Sequence, residues 1–188
     1  MSWRTSLLKF VGFYGRESTL IRTGSSMYNT ARHQALSPVF VRDCGLPDIF
    51  RTRFSLTSLH VWLCMVRLRS EGSKGREVSH QLHEHFANHL EEWIVEEGVH
   101  AIMIAKYVRE LNDMFYGLAV SFDESLVSGD TVLASAIWHN IYGMECNDAR
   151  NLTKLVGYVR QQIHELDRQP SEDVLLGNIR FSQFKPSP

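Results

Sequence analysis

Apolar side chains recur every three or four residues through most of the chain, and this spacing limits the fold more than any other feature of the sequence. In the clearest run, one apolar residue stands at each helical turn, with histidines and acids between them: Val78, Leu82, Phe86, Leu90 and Ile94. This is the period of an amphipathic helix. Segments 99–120 and 152–166 repeat it, and no segment shows the two-residue alternation of a half-buried strand. We therefore predict an all-α protein.

Glycines, prolines and changes in composition divide the chain into four segments. We predict a basic N-terminal segment at 1–35, a linker at 36–53, a helical domain at 54–173 and a C-terminal arm at 174–188. A chain of 188 residues, 44% of them apolar, is long enough for one domain and short for two. The expected architecture is a single-domain bundle of five to six helices with an extended C-terminal arm.

Local signals predict where individual helices begin and end. Segment 54–69 is apolar around nearly its whole circumference, which is typical of a buried helix. The segment Ser70–Gly75, with two glycines, indicates an exposed loop, and Asp148 is expected to cap the last long helix. In the N-terminal segment we expect one or two short helices, broken near Gly12–Gly15 and Gly24.

Charge and hydropathy exclude two broad classes of protein. A net charge of −1 does not suit a general nucleic-acid binder, so no DNA partner is expected. The most apolar run, Phe54–Val66, has thirteen residues, whereas a membrane-spanning helix needs about twenty. Segment 99–122 is long enough, but it carries four charged residues that oppose insertion. We expect a soluble or peripheral protein.

Basic residues are concentrated at the N-terminus, where Glu17 is the only acid before Asp43. This composition fits either a mitochondrial transit segment or a basic amphipathic helix of the fold. Such a helix could contact ribosomal RNA or anionic lipid at a membrane surface. The basic residues that we predict to bind a partner are Arg4, Lys9, Arg16 and Arg22.

The best enzymatic candidate is a group of histidines that could hold a metal ion: His80, His83, His85 and His89, with Glu84 beside them. His85 and His89 are four residues apart, so they share one helix face and could bind zinc together. The alternative function is therefore a metal-dependent helical hydrolase. No HExxH motif occurs, and the phosphate-loop and GxSxG patterns are missing. We expect a solvated helix face here, with no metal, no cofactor and no catalytic residue.

Large aromatic and flexible apolar residues are candidates for a binding surface. The aromatic residues of the kind that anchor interfaces are Trp93, Tyr116 and Trp138. The methionines that could line a groove for a client helix are Met27, Met65, Met103 and Met114. Both groups could equally belong to the core.

Two adjacent acids, Asp123 and Glu124, follow Phe122 at an expected helix end. Such acids more often anchor a helix than perform acid–base chemistry. We predict that they form a structural ion network with Arg67.

Several motifs occur in a characteristic order: His60-Val61-Trp62-Leu63-Cys64-Met65-Val66-Arg67-Leu68, Phe115-Tyr116-Gly117, Phe122-Asp123-Glu124, Leu133-Ala134-Ser135-Ala136-Ile137-Trp138 and Leu155-Val156-Gly157-Tyr158-Val159-Arg160-Gln161-Gln162-Ile163. Together they resemble the ubiquinol–cytochrome c chaperone domain, and the resemblance runs from about Leu8 to Asp173. His139 stands where the family usually has arginine.

The resemblance implies a non-enzymatic role in building respiratory complex III. Family members act in mitochondria, on the matrix side of the inner membrane, as peripheral proteins. They pair with a small helical assembly factor, associate with the mitochondrial ribosome and bind newly made cytochrome b while supporting its synthesis. The resemblance implies the same partners for this chain, and no cofactor.

Overall fold

The structure is a computed structural model that describes the backbone of residues 3–146 and 148–184 and, within them, the side chains of residue 15 and of residues from 17 onward. That part of the chain contains eight helices and no strand: α1 (Trp3–Ala35), α2 (Val39–Cys44), α3 (Phe50–Arg69), α4 (Gly72–Glu96), α5 (Ala101–Val127), α6 (Asp130–Asn140), α7 (Ala149–Asp167) and α8 (Ser171–Leu175). The predicted all-α class is confirmed. The two helices beyond the expected number, α2 and α8, are short.

The central helix of the bundle is α3, which packs against α1, α4, α5 and α7. Every residue from Phe54 to Cys64 is buried, as the apolar circumference of this segment predicts. Phe86 of α4 links α3 to α5, because its ring lies 6.3 Å from that of Phe54 and 5.0 Å from that of Phe115. The core is therefore one aromatic and aliphatic cluster around α3.

The expected break in the N-terminal segment was wrong, since α1 runs without interruption through its glycines. At Gly24 the reason is close packing on α4. A Cβ atom there would lie 2.6 Å from the Cβ of Gln81, so only glycine lets the two helices approach this closely.

The segment Ser70–Gly75 is also not the exposed loop that was expected. Helix α4 begins at Gly72, and Gly75 is buried in its first turn. A Cβ atom on Gly75 would collide with the carbonyl oxygen of Leu68 at the end of α3. Glycine is therefore needed at this position by the sharp turn between α3 and α4.

The expected linker at 36–53 contains structure of its own. It holds α2, whose Phe40 and Cys44 are fully buried, and the first turn of α3. Gly45 ends α2 in the left-handed region with φ 64°. The proposed division into four segments stays a prediction, because helix bounds alone do not define domain bounds.

The C-terminal arm packs against the bundle after α8. Ile179 and Phe184 are buried in the core, and no helix forms over residues 178–184. Asp148 caps α7, as predicted, by accepting a hydrogen bond from the backbone N–H of Arg150 at 2.9 Å. In the described residues, none of the helices combines the length and hydrophobicity needed to cross a membrane.

Candidate functional site

Helix α5 is buried along only half of its length. Its buried residues, Phe115, Leu118, Phe122 and Ser125, all lie in the C-terminal half. None of residues 101–114 is buried, although this part makes four helical turns. We call residues 101–114 the α5 overhang.

The apolar stripe of α5 continues into the overhang beyond the point where the bundle covers it. Ile104, Leu111 and Leu118 are spaced by seven residues and therefore lie on one face of the helix. Leu118 is buried and Leu111 packs partly against the main core, whereas Ile104 is half-buried and lies outside that core. The overhang thus carries a core-type stripe that the neighbouring helices cover only in part.

Large apolar side chains of the overhang are open to solvent. Ile102 is 88% exposed, Tyr107 39% and Met114 49%. Exposed single apolar residues are ordinary, but Tyr107 and Met114 are spaced by seven residues and therefore lie on one helix face, and neighbouring exposed apolar residues of this kind indicate a binding surface. Met103 and Met114 were predicted to line a groove, and both lie here at least partly exposed, whereas Met27 is fully buried.

Charges of both signs surround the apolar side chains. The ammonium of Lys106 lies 3.7 Å from a carboxylate oxygen of Glu110, and Arg109 and Asp113 are exposed on the same helix. Exposed pairs of this kind contribute little to stability. An apolar centre with a charged rim is typical of a protein–protein interface.

A second apolar surface lies between α6 and α7. It is a groove of about 440 Å³ lined by Ala134, Ser135, Trp138, Cys146, Ala149 and Leu152. Trp138 is exposed at one wall, and the exposed Met144 near the end of α6 has φ 67°, in the left-handed region. Small residues on both helices leave room for a large side chain of a partner. We call this surface the Trp138 groove.

The other two predicted aromatic anchors are in different environments. Tyr116 is exposed and stacks on His83 with ring centroids 5.6 Å apart. Trp93 is buried, with its ring 4.6 Å from that of His89 and 6.0 Å from that of Phe50. Tyr116 and Trp138 are accessible to a partner, whereas Trp93 belongs to the core. Partner contact by these residues stays a prediction.

Of the basic residues predicted to bind a partner, only Arg22 is among the described side chains. It is exposed and donates a hydrogen bond to the Thr19 hydroxyl at 3.3 Å. Arg4, Lys9 and Arg16 lie outside the described side chains.

The structure places Arg67 and Asp123 in separate ion pairs instead of in one network. Arg67 pairs with Glu71 at 2.6 Å, and this hydrogen bond holds the pKa of Glu71 below its usual range. Asp123 pairs with Arg69 at 2.8 Å. Asp123 and Glu124 lie within α5, one turn before its end, and Glu124 is exposed. The expected network missed Glu71 and Arg69 because both partnerships depend on how α3, α4 and α5 are packed.

The histidines of the proposed metal cluster point to different neighbours. His85 lies 3.0 Å from the carbonyl oxygen of Ile21 on α1, and His83 packs on α5, where burial lowers its pKa. His89 pairs with Glu92 at 3.0 Å, and His80 is exposed. Within the described residues, no three His, Cys, Asp or Glu side chains converge in a way that could hold a metal ion.

Sequence reasoning named the methionines of α5 but missed Ile102 and Tyr107 as surface residues. The signal that could have found them is the length of the apolar stripe. At 27 residues, α5 is about 40 Å long at 1.5 Å per residue, whereas α6, one of the helices that pack against it, has only 11 residues and cannot follow its whole length. An overhang is the geometric consequence.

Comparison with known proteins identifies relatives of this chain. A family model described as ubiquinol-cytochrome C chaperone matches residues 42–181, a range that includes the overhang and the Trp138 groove. A Xenopus laevis protein named ubiquinol-cytochrome-c reductase complex assembly factor 1 is 34% identical over 137 residues, which are 73% of this chain and 68% of that protein.

Relatives in other organisms are longer. The human ubiquinol-cytochrome c reductase complex assembly factor 1 is 33% identical over 80% of this chain and 50% of its own length. The Saccharomyces cerevisiae protein CBP3, mitochondrial, is 29% identical over 84% of this chain and 51% of its own length. The chain thus spans about two thirds of the frog relative and about half of the human and yeast relatives.

A solved structure shares the fold. The crystal structure of the Cbp3 homolog from Brucella abortus superposes with a TM-score of 0.82 over 93% of this chain and 97% of that chain, at 21% sequence identity. The same arrangement of helices is therefore kept where four of five residues differ.

Proposed function

Because the chain belongs to the ubiquinol–cytochrome c chaperone family, we propose that it is an assembly factor of respiratory complex III that binds newly made cytochrome b. It acts in mitochondria, peripherally on the matrix side of the inner membrane. It pairs with a small helical assembly factor and works beside the mitochondrial ribosome. Relatives named as complex III assembly factors support the role, and a relative named as mitochondrial supports the location.

The observation that carries the proposal is the exposed apolar surface of the α5 overhang. A newly made membrane protein exposes apolar helices to water before it is assembled. Covering one large apolar side chain contributes about 1.5–3 kcal/mol, so contacts with Tyr107 and Met114, which are exposed on one helix face, could hold such a helix reversibly. The overhang is open along four turns, which suits a helix lying alongside it.

The Trp138 groove is the proposed contact for the small helical partner. It is separate from the overhang, so client and partner could bind at the same time. It is a short, open groove with room for one or two side chains of a folded protein. A Trp138→Ala variant is expected to lose the partner on purification while keeping cytochrome b, because aromatic anchors dominate such interfaces.

The basic N-terminal helix is the proposed contact with ribosomal RNA or the membrane surface. Arg22, which is exposed, would take part together with Arg4, Lys9 and Arg16. Attraction to anionic lipid is worth about 1 kcal/mol per basic residue. Substituting the four residues by glutamine should weaken ribosome association most at low salt, where the attraction between charges is least screened.

The test uses cells that lack the chain and express tagged variants. Tyr107→Asp with Met114→Asp removes the apolar surface of the overhang, and Val127→Asp is the control, because Val127 is 91% exposed on the same helix. We expect the double variant, and not the control, to lose cytochrome b on purification and to reduce assembled complex III. Normal complex III in cells lacking the chain would contradict the proposed role.

A further inference from the structure

Residues 178–184, here called the arm segment, fill a seam between α1 and α7. The segment leaves α8 at Gly177, whose carbonyl accepts a hydrogen bond from Ser26 of α1 at 3.2 Å. On the other side it contacts Gln162 of α7 and Gln169, which lies just beyond the end of that helix. The two helices are thus joined by the arm segment.

The two glutamines hold the backbone of the arm segment. Gln162 accepts a hydrogen bond from the N–H of Ser182 at 2.9 Å and donates to its carbonyl at 3.1 Å. Gln169 does the same with Arg180, at 3.0 Å and 2.6 Å. Arg180 and Ser182 are two residues apart and face the same way, as in a strand. The glutamine amides therefore imitate a neighbouring strand.

Apolar side chains of the same segment pack into the bundle. Ile179 and Phe184 are buried, whereas Arg180 and Gln183 are exposed. The Phe181 ring lies edge-on to the ring of His60 at 5.1 Å. This combination of backbone pairing and buried side chains is the mode by which proteins bind extended peptides.

The polar floor of the seam is fixed by contacts among the helices. His60 donates from Nδ1 to the carbonyl of Leu56 at 2.7 Å and accepts at Nε2 from the Tyr158 hydroxyl at 2.7 Å. Gln34 of α1 donates to the same hydroxyl at 3.1 Å. The bonds of His60 are made among the helices, whereas Gln34 also donates to the carbonyl of Ser182 in the arm segment at 3.5 Å.

The arm segment itself is held mainly by side chains. Within the described chain, no hydrogen bond joins the backbone of residues 179–184 to the backbone of another segment. The glutamines recognise main-chain atoms that every peptide has, and Ser182 adds one hydroxyl contact to Gln162 at 2.7 Å. Another extended segment with the same apolar spacing could make these contacts.

We propose that the seam is a binding groove for extended peptides and that the arm segment is its occupant within the same chain. The ligand class is an extended segment with aromatic residues three positions apart, an aliphatic residue two positions before the first, and a small residue after the first. This site is separate from the α5 overhang and does not depend on the proposed function.

The test measures binding of a fluorescent peptide with the sequence of residues 178–184 to the full-length protein by anisotropy. In the unchanged chain the tethered arm segment competes with the added peptide at an effective concentration on the order of millimolar. A full-length variant carrying Ile179→Asp and Phe184→Asp should therefore bind the peptide at least tenfold more tightly than the unchanged chain. Gln183→Asp, at an exposed arm position, should leave binding unchanged. Adding Gln162→Leu to the first variant should abolish binding.

Two results would overturn the proposal. The first is an arm variant that is folded, as shown by normal circular dichroism and a cooperative melt, but binds no peptide. The same conclusion holds if it binds the peptide of residues 178–184 no more tightly than a peptide in which aspartate replaces both phenylalanines. If that variant does not fold, hydrogen exchange on the unchanged chain decides. The backbone amides of Arg180 and Ser182 should exchange at least tenfold faster than the amide of Val159. If all three amides exchange at the same rate, the arm segment leaves the groove only when the whole protein unfolds, and the proposal fails.

Discussion

Arg67 of α3 donates a hydrogen bond from Nε to the carbonyl oxygen of Leu166, 2.8 Å away, at the C-terminal end of α7. The last carbonyls of a helix have no partner within it, so this arginine satisfies one of them. Nη2 of the same guanidinium donates to the carbonyl of Gln169 at 2.8 Å, and Nη1 pairs with the carboxylate of Glu71. Both partners of the ion pair are more than nine-tenths buried.

Replacing Arg67 by methionine should destabilise the protein by about 3–5 kcal/mol, because it leaves the buried carboxylate of Glu71 without its countercharge and removes two hydrogen bonds to the carbonyls of Leu166 and Gln169. Glu71→Gln should cost less, since Arg67 still caps α7. Urea unfolding followed by circular dichroism gives both values. Equal losses for the two variants would show that the ion pair, and not the capping of α7, determines the effect.

Stability should fall in acid through His60. Burial lowers its pKa from 6.5 to about 4 in the folded chain. Between these values the unfolded chain binds the proton and the folded chain does not, so unfolding becomes easier as the pH falls from 6.5 to 4. The full effect is about 3 kcal/mol.

The measurement for His60 is the unfolding free energy at a series of pH values. His60→Gln should flatten its dependence between pH 6.5 and 4, although the variant is less stable at pH 7 because the Leu56 carbonyl loses the N–H donor of the ring. His80→Gln, at an exposed position, should keep the slope of the unchanged chain. An unchanged slope in His60→Gln would contradict the assignment.

The two hydrogen-bond partners of Asp123 are expected to contribute unequally to the stability of the protein. It accepts from the indole N–H of Trp62 at 2.9 Å and pairs with Arg69, which is half exposed. Asp123→Asn keeps an acceptor for the indole and should cost less than about 1 kcal/mol. Asp123→Ala leaves the indole of a buried tryptophan unpaired and should cost about 1–3 kcal/mol. Thermal melts compare the two, with Glu124→Ala as a neighbour that should change little.

Helical periodicity was enough to predict the bundle and the burial of α3, because side chains on a repeating stripe must be covered by something. It could not show at which residue the neighbouring helices stop covering the stripe. The stripe of α5 looks the same at Ile104 as at Leu118, and only the position of the surrounding helices makes one half-buried and the other buried. The overhang is therefore a property of the packing.

The sequence also could not show where two segments of the chain lie in close contact, for a related reason. Gly24 and Gly75 look like helix breakers, yet each lies where another segment comes too near for a Cβ atom. Gln162 and Gln169 look like ordinary solvated residues, but both bind the arm backbone. Such roles depend on a segment that is distant in sequence.

Site-specific photocrosslinking tests most directly whether the α5 overhang holds cytochrome b. A photoreactive amino acid at Tyr107 is compared with one at Val127, about 30 Å further along the same helix. In mitochondria labelled during protein synthesis, newly made cytochrome b should crosslink to position 107 and little to position 127. Crosslinks of equal strength from both positions, or from Val127 alone, would contradict the assignment of the overhang as the client surface.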